Sequence, residues 1–213
     1  MYLVKTPFII KKIFSSFVWD MPAKEKIIYL SFDDGPHETA TPFVLDELKK
    51  YNAKATFFCI GKNVALHPDI YQRIIDEEHA VGNHTYHHLN GWKTHNKIYW
   101  NDIKEASKII QSNLFRPPYG RIKRSQWSIV NSEWSIIMWD VLSGDFDIHL
   151  SPEKCLQNVL RNTNNGSIIV FHDSTKAWER MSYALPKVLA YFSEKGYVFE
   201  GIKKAKVKTP ARV

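Results

Sequence analysis

Ile27-Ile28-Tyr29-Leu30-Ser31-Phe32 runs apolar and β-prone, then stops at Asp33-Asp34-Gly35-Pro36. A short run of this kind, closed by Gly and Pro, reads as a buried strand ending in a tight turn. The pattern recurs downstream: residues 55–60, 80–83, 114–116, 135–141, 167–172 and 197–202 read as further strands. Helical patterns fill the intervals, at 41–50, 68–78, 97–111, 125–134, 152–162 and 180–194. About seven strands alternating with helices or long loops predict an α/β fold with a parallel sheet, open or closed into a barrel.

Composition is consistent with one such domain. The chain has 213 residues, 44% hydrophobic and 24% charged, which suits a folded core and not a disordered chain. Its net charge of +7 sits at the ends. Residues 1–26 carry five Lys against Asp20 and Glu25, and residues 203–213 carry only cations. A near-neutral body argues against nucleic acid as a partner. The expected division is an extension over 1–26, a catalytic body over 27–202 and a basic tail over 203–213. Cys59 and Cys155 lack metal or redox spacing, so free thiols are expected.

Thr6-Pro7 is placed to start a helix, with Ile10, Phe14, Phe17 and Val18 on one face and Lys11, Lys12 and Ser15 on the other. An extra helix packed on the fold is the favoured reading of residues 7–19, and a membrane-surface helix the lesser one. No apolar run approaches the ~20 residues of a transmembrane helix. Lys11 and Lys12 interrupt the N-terminal stretch and no small-residue cleavage site follows, so the reading favours a cytoplasmic location.

Polar clusters follow five of the strands: Asp33-Asp34, His84-Thr85-Tyr86-His87-His88, Arg116-Pro117-Pro118-Tyr119, the stretch from Asp140 to Asp147, and His172-Asp173-Ser174. The C-terminal strand edge is where parallel α/β proteins build active sites. Asp-Asp-Gly-Pro alone is also an ordinary turn. Beside a His trio it becomes a candidate metal site. His84 and His88 have the i, i+4 spacing of one helical face, and His84 and His87 are the competing pair. Two imidazoles and one carboxylate leave coordination positions open for substrate.

Arg116 is a candidate to fork onto a carboxylate and hold it ionised, and the Tyr119 backbone N–H to stabilise an oxyanion. His172 is a candidate general acid, with Asp145 to orient it and keep it protonated. Trp139, Leu142 and Val170, with Pro118 from the Arg116 turn, are candidates for a small apolar substrate pocket. Core packing accounts for such residues equally well.

Taken together and in order, these segments resemble the polysaccharide deacetylase family, also called the NodB-homology or carbohydrate esterase family 4 domain. The pattern is carried by Ser31-Phe32-Asp33-Asp34-Gly35-Pro36, His84-Thr85-Tyr86-His87-His88, Arg116-Pro117-Pro118-Tyr119, Leu142-Ser143-Gly144-Asp145-Phe146 and Val170-Phe171-His172. The resemblance spans residues 27–200. It implies a distorted (β/α) barrel and one divalent metal ion, commonly zinc, on Asp34, His84 and His88. It further implies Asp33 as general base paired with Arg116, Tyr119 N–H at the oxyanion, and His172, oriented by Asp145, as the acid for the leaving amine. The implied reaction is hydrolysis of N-acetyl, sometimes O-acetyl, groups on a glycan such as a chitooligosaccharide or peptidoglycan. Leu142, Phe146 and Val170 depart from the pattern, where the family has Asp, Trp and Leu. Two other classes fit the residues less well: an amidohydrolase acting on a non-sugar amide, and a silent glycan-binding module, which would need neither base nor acid. Solvent-facing Trp92, Trp100 or Trp178 near the site would favour a sugar.

Overall fold

The structure, a computed structural model, describes residues 2–22 and 24–203. The basic tail beyond Lys203 therefore lies outside the described residues. The centre is β1 (Ile27–Asp33), flanked by β2 (Ala55–Cys59) and β7 (Ile168–His172). Outward from β2 come β3 (Ala80–Asn83), β4 (Leu114–Phe115) and β5 (Ser135–Ile136); outward from β7 comes β6 (Val141–Leu142). All these neighbours pair in parallel. β8 (Val198–Phe199) pairs with the start of β1. The seven strands of the main path form the curled, half-barrel sheet of a distorted (β/α) barrel.

The period-2 alternation of β1 divides the core. Ile28, Leu30 and Phe32 face the outer layer. They pack there with α2 (Ala40–Lys50), α7 (Pro152–Asn162) and α8 (Trp178–Glu194). Tyr29 joins Phe58, Leu114, Ile137 and Ile168 in a second cluster. Ser31 and Asp33 share that second face. The central strand is buried from both sides, which explains its nearly continuous apolar character. The remaining helices are α3 (Gly61–Leu66), α4 (Pro68–Asp76), α5 (Asn96–Ser107) and α6 (Arg124–Glu133). α3 had no counterpart in the sequence pattern, being a single short turn run with two buried residues.

Two expectations need correction. Residues 135–141 are not one strand. β5 pairs with β4 at one edge and β6 pairs with β7 at the other, so the chain crosses between edges. The carbonyls of Ile137 and Met138 turn to the Arg116 guanidinium. A run of apolar residues reads the same whether it joins one ladder or spans two.

The extension is mostly not a helix. α1 covers only Phe8–Ile13. Thr6 does not cap it; its hydroxyl donates to Trp139 C=O. Phe8, Ile9 and Ile13 are exposed, while Phe14 and Phe17 meet Trp127 edge to face. The flanking residues act as a strap across the seam between β5 and β6. Leu142 N–H donates to Val4 C=O, Val18 N–H to Ile136 C=O and Met138 N–H to Val18 C=O, at 2.8, 2.9 and 2.7 Å. Lower down, Met21 N–H donates to Gly166 C=O.

Asp140 pins the strap. Its buried carboxylate takes Lys5 and Lys11, each at 2.5 Å, and the Ser167 hydroxyl. Burial pushes the Asp140 carboxyl up, but these donors outweigh it and hold it below its ordinary range. Asp140→Ala removes the buried carboxylate shared by Lys5 and Lys11 and is expected to cost roughly 2–4 kcal/mol in urea unfolding. Asp20→Ala, which removes the exposed partner of Lys11, should cost under about 1 kcal/mol. The Asp140 contribution is present above the unfolded carboxylate pKa and is lost as pH falls through the lower folded value.

Candidate active site

The C-terminal ends of the strands open into a cavity of about 540 Å³. Asp33 and Asp34 enter it from β1 by different routes. Asp33 is still in the strand, buried, and pointed inward. Asp34 leaves the ladder with φ 83. The turn is held by Asp173, which accepts Gly35 N–H at 3.0 Å and the Thr41 hydroxyl. A Cβ at residue 35 would lie 2.0 Å from the Asp173 carboxylate, so only glycine fits. Burial pushes the Asp173 carboxyl up to about 8. This support was not legible in the sequence, because Asp173 follows His172 without any pattern of its own.

Asp34, His84 and His88 converge, with one ligand atom from each lying within 4.8 Å of the others. Asp34 Oδ1 is 3.2 Å from His88 Nε2 and 3.8 Å from His84 Nε2. The i, i+4 spacing works here without a helix. Thr85 and His88 take φ of 64 and 58, so the loop after β3 folds back on itself. His87 points elsewhere, its Nδ1 2.6 Å from Asp102 Oδ1 on α5. His84 Nδ1 donates to Arg116 C=O at 2.7 Å, which leaves the Nε2 lone pair toward Asp34. Burial pushes the His84 imidazole down to about 4, so it is neutral at pH 7.

These residues fit a divalent cation. Among the described residues, Asp34 Oδ1 is buried with no hydrogen-bond partner. Burial raises the Asp34 carboxyl, but the close His88 side chain and the charge of His172 outweigh it and hold it well below its ordinary value. An ionised carboxylate with a free lone pair, beside a neutral imidazole with its Nε2 lone pair turned inward, is a ligand set.

Arg116 is fully buried. It reaches Asp33 Oδ1 at 2.6 Å, Ser31 Oγ at 2.8 Å, and the carbonyls of Ile137 and Met138 at 3.1 and 2.9 Å. Its Cζ lies 4.0 Å from the centre of the Phe58 ring. On the other side, His172 Nδ1 is 2.8 Å from Asp145 Oδ1, and His172 N–H donates to Asp145 Oδ2 at 2.7 Å. Burial alone would lower the His172 imidazole; Asp145, with Asp34 and Asp33 behind it, drives it up to about 10.

Trp139, Leu142 and Val170 line the cavity together with Tyr119, whose ring stands 4.6 Å from that of His88. Tyr119 adopts φ 60 and ψ 9. Pro118 does not belong to the wall; it is buried under the turn that presents Tyr119. Of the three tryptophans, Trp92 is exposed, while Trp100 packs on Trp134 and Trp178 on Phe43. Wall residues with no signal in the sequence include Tyr2 from the strap, Arg121 and Lys176. Their residue types are common on surfaces, and only tertiary placement brings them here. The expected free thiols are both present and buried.

The chain is similar to proteins of known activity. The family model for polysaccharide deacetylase matches residues 20–133, which hold Asp33, Asp34, His84, His88 and Arg116. A peptidoglycan-N-acetylglucosamine deacetylase of Bacillus cereus is 34% identical over 188 residues, covering 85% of this chain and 88% of that one. The peptidoglycan-N-acetylmuramic acid deacetylase PdaC of Bacillus subtilis is 30% identical, covering 81% of this chain but 37% of its own length. Among solved structures, the Bc1960 peptidoglycan N-acetylglucosamine deacetylase, in complex with 4-naphthalen-1-yl-N-oxidanyl-benzamide, superposes with a TM-score of 0.84 at 33% identity. It covers 92% of this chain and 95% of that one. BA3943 of Bacillus anthracis, a pseudoenzyme, superposes at 0.77 with 25% identity, covering 86% of this chain and 66% of that one. The sheet, the site residues in their order along the chain and these matches lead to one conclusion: the chain belongs to the polysaccharide deacetylase family.

Proposed function

We propose that the protein is a metal-dependent deacetylase that hydrolyses N-acetyl groups on a peptidoglycan-type glycan. The observation that carries this reading is the gathering in one cavity of a ligand triangle and two separate carboxylate-supported groups, Asp33 with Arg116 and His172 with Asp145. Asp34, His84 and His88 would hold the ion, with zinc favoured by two imidazoles and one carboxylate. When bound, it supplies a Lewis acid toward the acetyl carbonyl.

The protein's own groups do the rest. Asp33, held by Arg116 at 2.6 Å, takes the proton of the attacking water. The Tyr119 N–H and the turn that carries it serve the developing oxyanion. Cationic His172 gives its proton to the departing amine, which is a poor leaving group until protonated. Trp139, Leu142 and Val170 form the apolar wall against the acetyl methyl. Trp92 is exposed and lies beside Arg121 of the cavity wall, which supports a sugar over a non-sugar amide, since sugar rings stack on aromatic faces. A silent binding module would have no use for both a base and an acid.

Three outcomes test this. Metal analysis should find His88→Ala depleted and His87→Ala loaded, since His87 is committed to Asp102. Asp33→Asn should keep its metal and lose roughly 100- to 10,000-fold in acetate release from peptidoglycan fragments. The alkaline limb of the rate should follow loss of the His172 proton. The raised pKa keeps the acid competent well above pH 7, and activity falls as pH climbs through the folded value. Asp145→Asn removes the main support for the imidazolium, so the limb should move to lower pH; an unmoved limb would show that another group sets it.

A further inference from the structure

Tyr2 reaches the cavity wall from the strap, far in sequence from the strand ends, and serves none of the steps above. A socket receives it. Its hydroxyl donates to Asp147 Oδ2 at 3.1 Å. A Cβ at residue 144 would lie 2.7 Å from that hydroxyl, and Gly144 has φ 82, so glycine is needed there for room and for conformation. Burial and the Asp147 bond push the Tyr2 phenol up to about 12, so it is a neutral donor at pH 7. Behind it the strap is tied down by the Val4 carbonyl on Leu142 and by Lys5 on Asp140.

The segment that forms this socket also carries both residues that hold the His172 side chain. Asp145 takes Nδ1 and the backbone N–H. Phe146 meets the imidazole edge to face, with ring centres 5.3 Å apart and planes at 73°. The bond at Nδ1 decides which nitrogen faces the cavity and leaves the ring a torsion. An aromatic ring packed against the imidazole limits that torsion. Phe146 is itself only half-buried. Its ring meets Tyr2 at 5.0 Å, and Lys176 Nζ lies 5.9 Å from its centre. Contacts therefore run from Tyr2 through Phe146 to His172, and all three line the cavity.

We infer that Tyr2 is a positioning residue for proton donation: seated between Gly144 and Asp147, it holds Phe146 against the His172 imidazole. The inference rests on reading His172 as the acid of a deacetylase and adds what keeps that acid in place. A donor displaced by about an ångström loses rate steeply while the substrate still binds. The effect of Tyr2 therefore falls on turnover, and only on substrates whose leaving group needs a proton.

The test uses the zinc-loaded protein on N-acetylated peptidoglycan fragments and on para-nitrophenyl acetate, whose phenolate leaves without a proton. Tyr2→Ala should lower kcat on the fragments about tenfold, with KM and para-nitrophenyl acetate turnover each within about twofold. Tyr2→Phe keeps the ring and drops only the hydroxyl, so it should retain most of kcat. Adding Tyr2→Ala to Phe146→Ala should cost nothing further, because the link is already gone. A second readout needs no activity. The His172 ring protons lie in the ring current of Phe146, so their NMR resonances should move in Tyr2→Ala and hold in Tyr2→Phe. No loss on the fragments, equal loss on both substrates, a raised KM at unchanged kcat, or unmoved His172 resonances in Tyr2→Ala overturns the inference. If the unaltered protein releases no acetate from the fragments while the His172 resonances move in Tyr2→Ala, the deacetylase reading falls and the positioning of His172 by Tyr2 stands.

Discussion

A guanidinium with no access to water sits inside the barrel, and the site is arranged around it. Arg116 makes four hydrogen bonds, to two side chains of β1 and to two carbonyls of the edge-crossing stretch. Its own carbonyl fixes the His84 ring. An isolated buried cation is prohibitively costly, and one with every donor directed to an acceptor is tolerable. The same residue therefore ties β1 to β4, turns the 137–138 backbone out of its ladder, sets a ligand tautomer and fixes the position of Asp33. Burial pulls the guanidinium down from its ordinary value, with Asp33 opposing, and it remains a cation. Its polar network shares the inner face of the sheet with the apolar cluster around Tyr29 and Phe58, and the larger apolar core lies between sheet and helices.

Much of this was legible in the sequence because strand-end chemistry is local. Asp33-Asp34-Gly35-Pro36 and the run ending at His172 announce both the strand and the turn. What local pattern could not carry was how segments far apart meet. The i, i+4 histidines were read through a helix, whereas the loop reaches the same convergence through left-handed residues at Thr85 and His88. The split of 135–141 was hidden because β5 and β6 have similar composition and different partners. Pro118 was placed with its neighbour Tyr119, yet one is buried and the other exposed. Asp173, Arg121 and Lys176 carry no signal of their own. Each takes its meaning from a partner elsewhere in the chain.

A similar fold alone does not secure the chemistry. BA3943 of Bacillus anthracis shares the architecture and is a pseudoenzyme, and a mutant of it is described as having restored activity. What matters in such a family is which side chains stand at the strand ends. Here three of the groups proposed to act are each held by a partner: Asp33 by Arg116, His172 by Asp145 and His84 by the Arg116 carbonyl.

The strap also bears on how the molecule comes together. Its Lys5 meets Asp140 across 135 residues of intervening chain, and Tyr2 meets Asp147 across 145. Contacts so distant in sequence close late, because the loop between them must first be ordered. On a ribosome the strap would emerge early and wait for β6 and β7 before it could dock. The seam it covers and the cavity wall it completes are then among the last parts of the molecule to form, so an incompletely folded chain would hold the sheet before it holds a finished cavity.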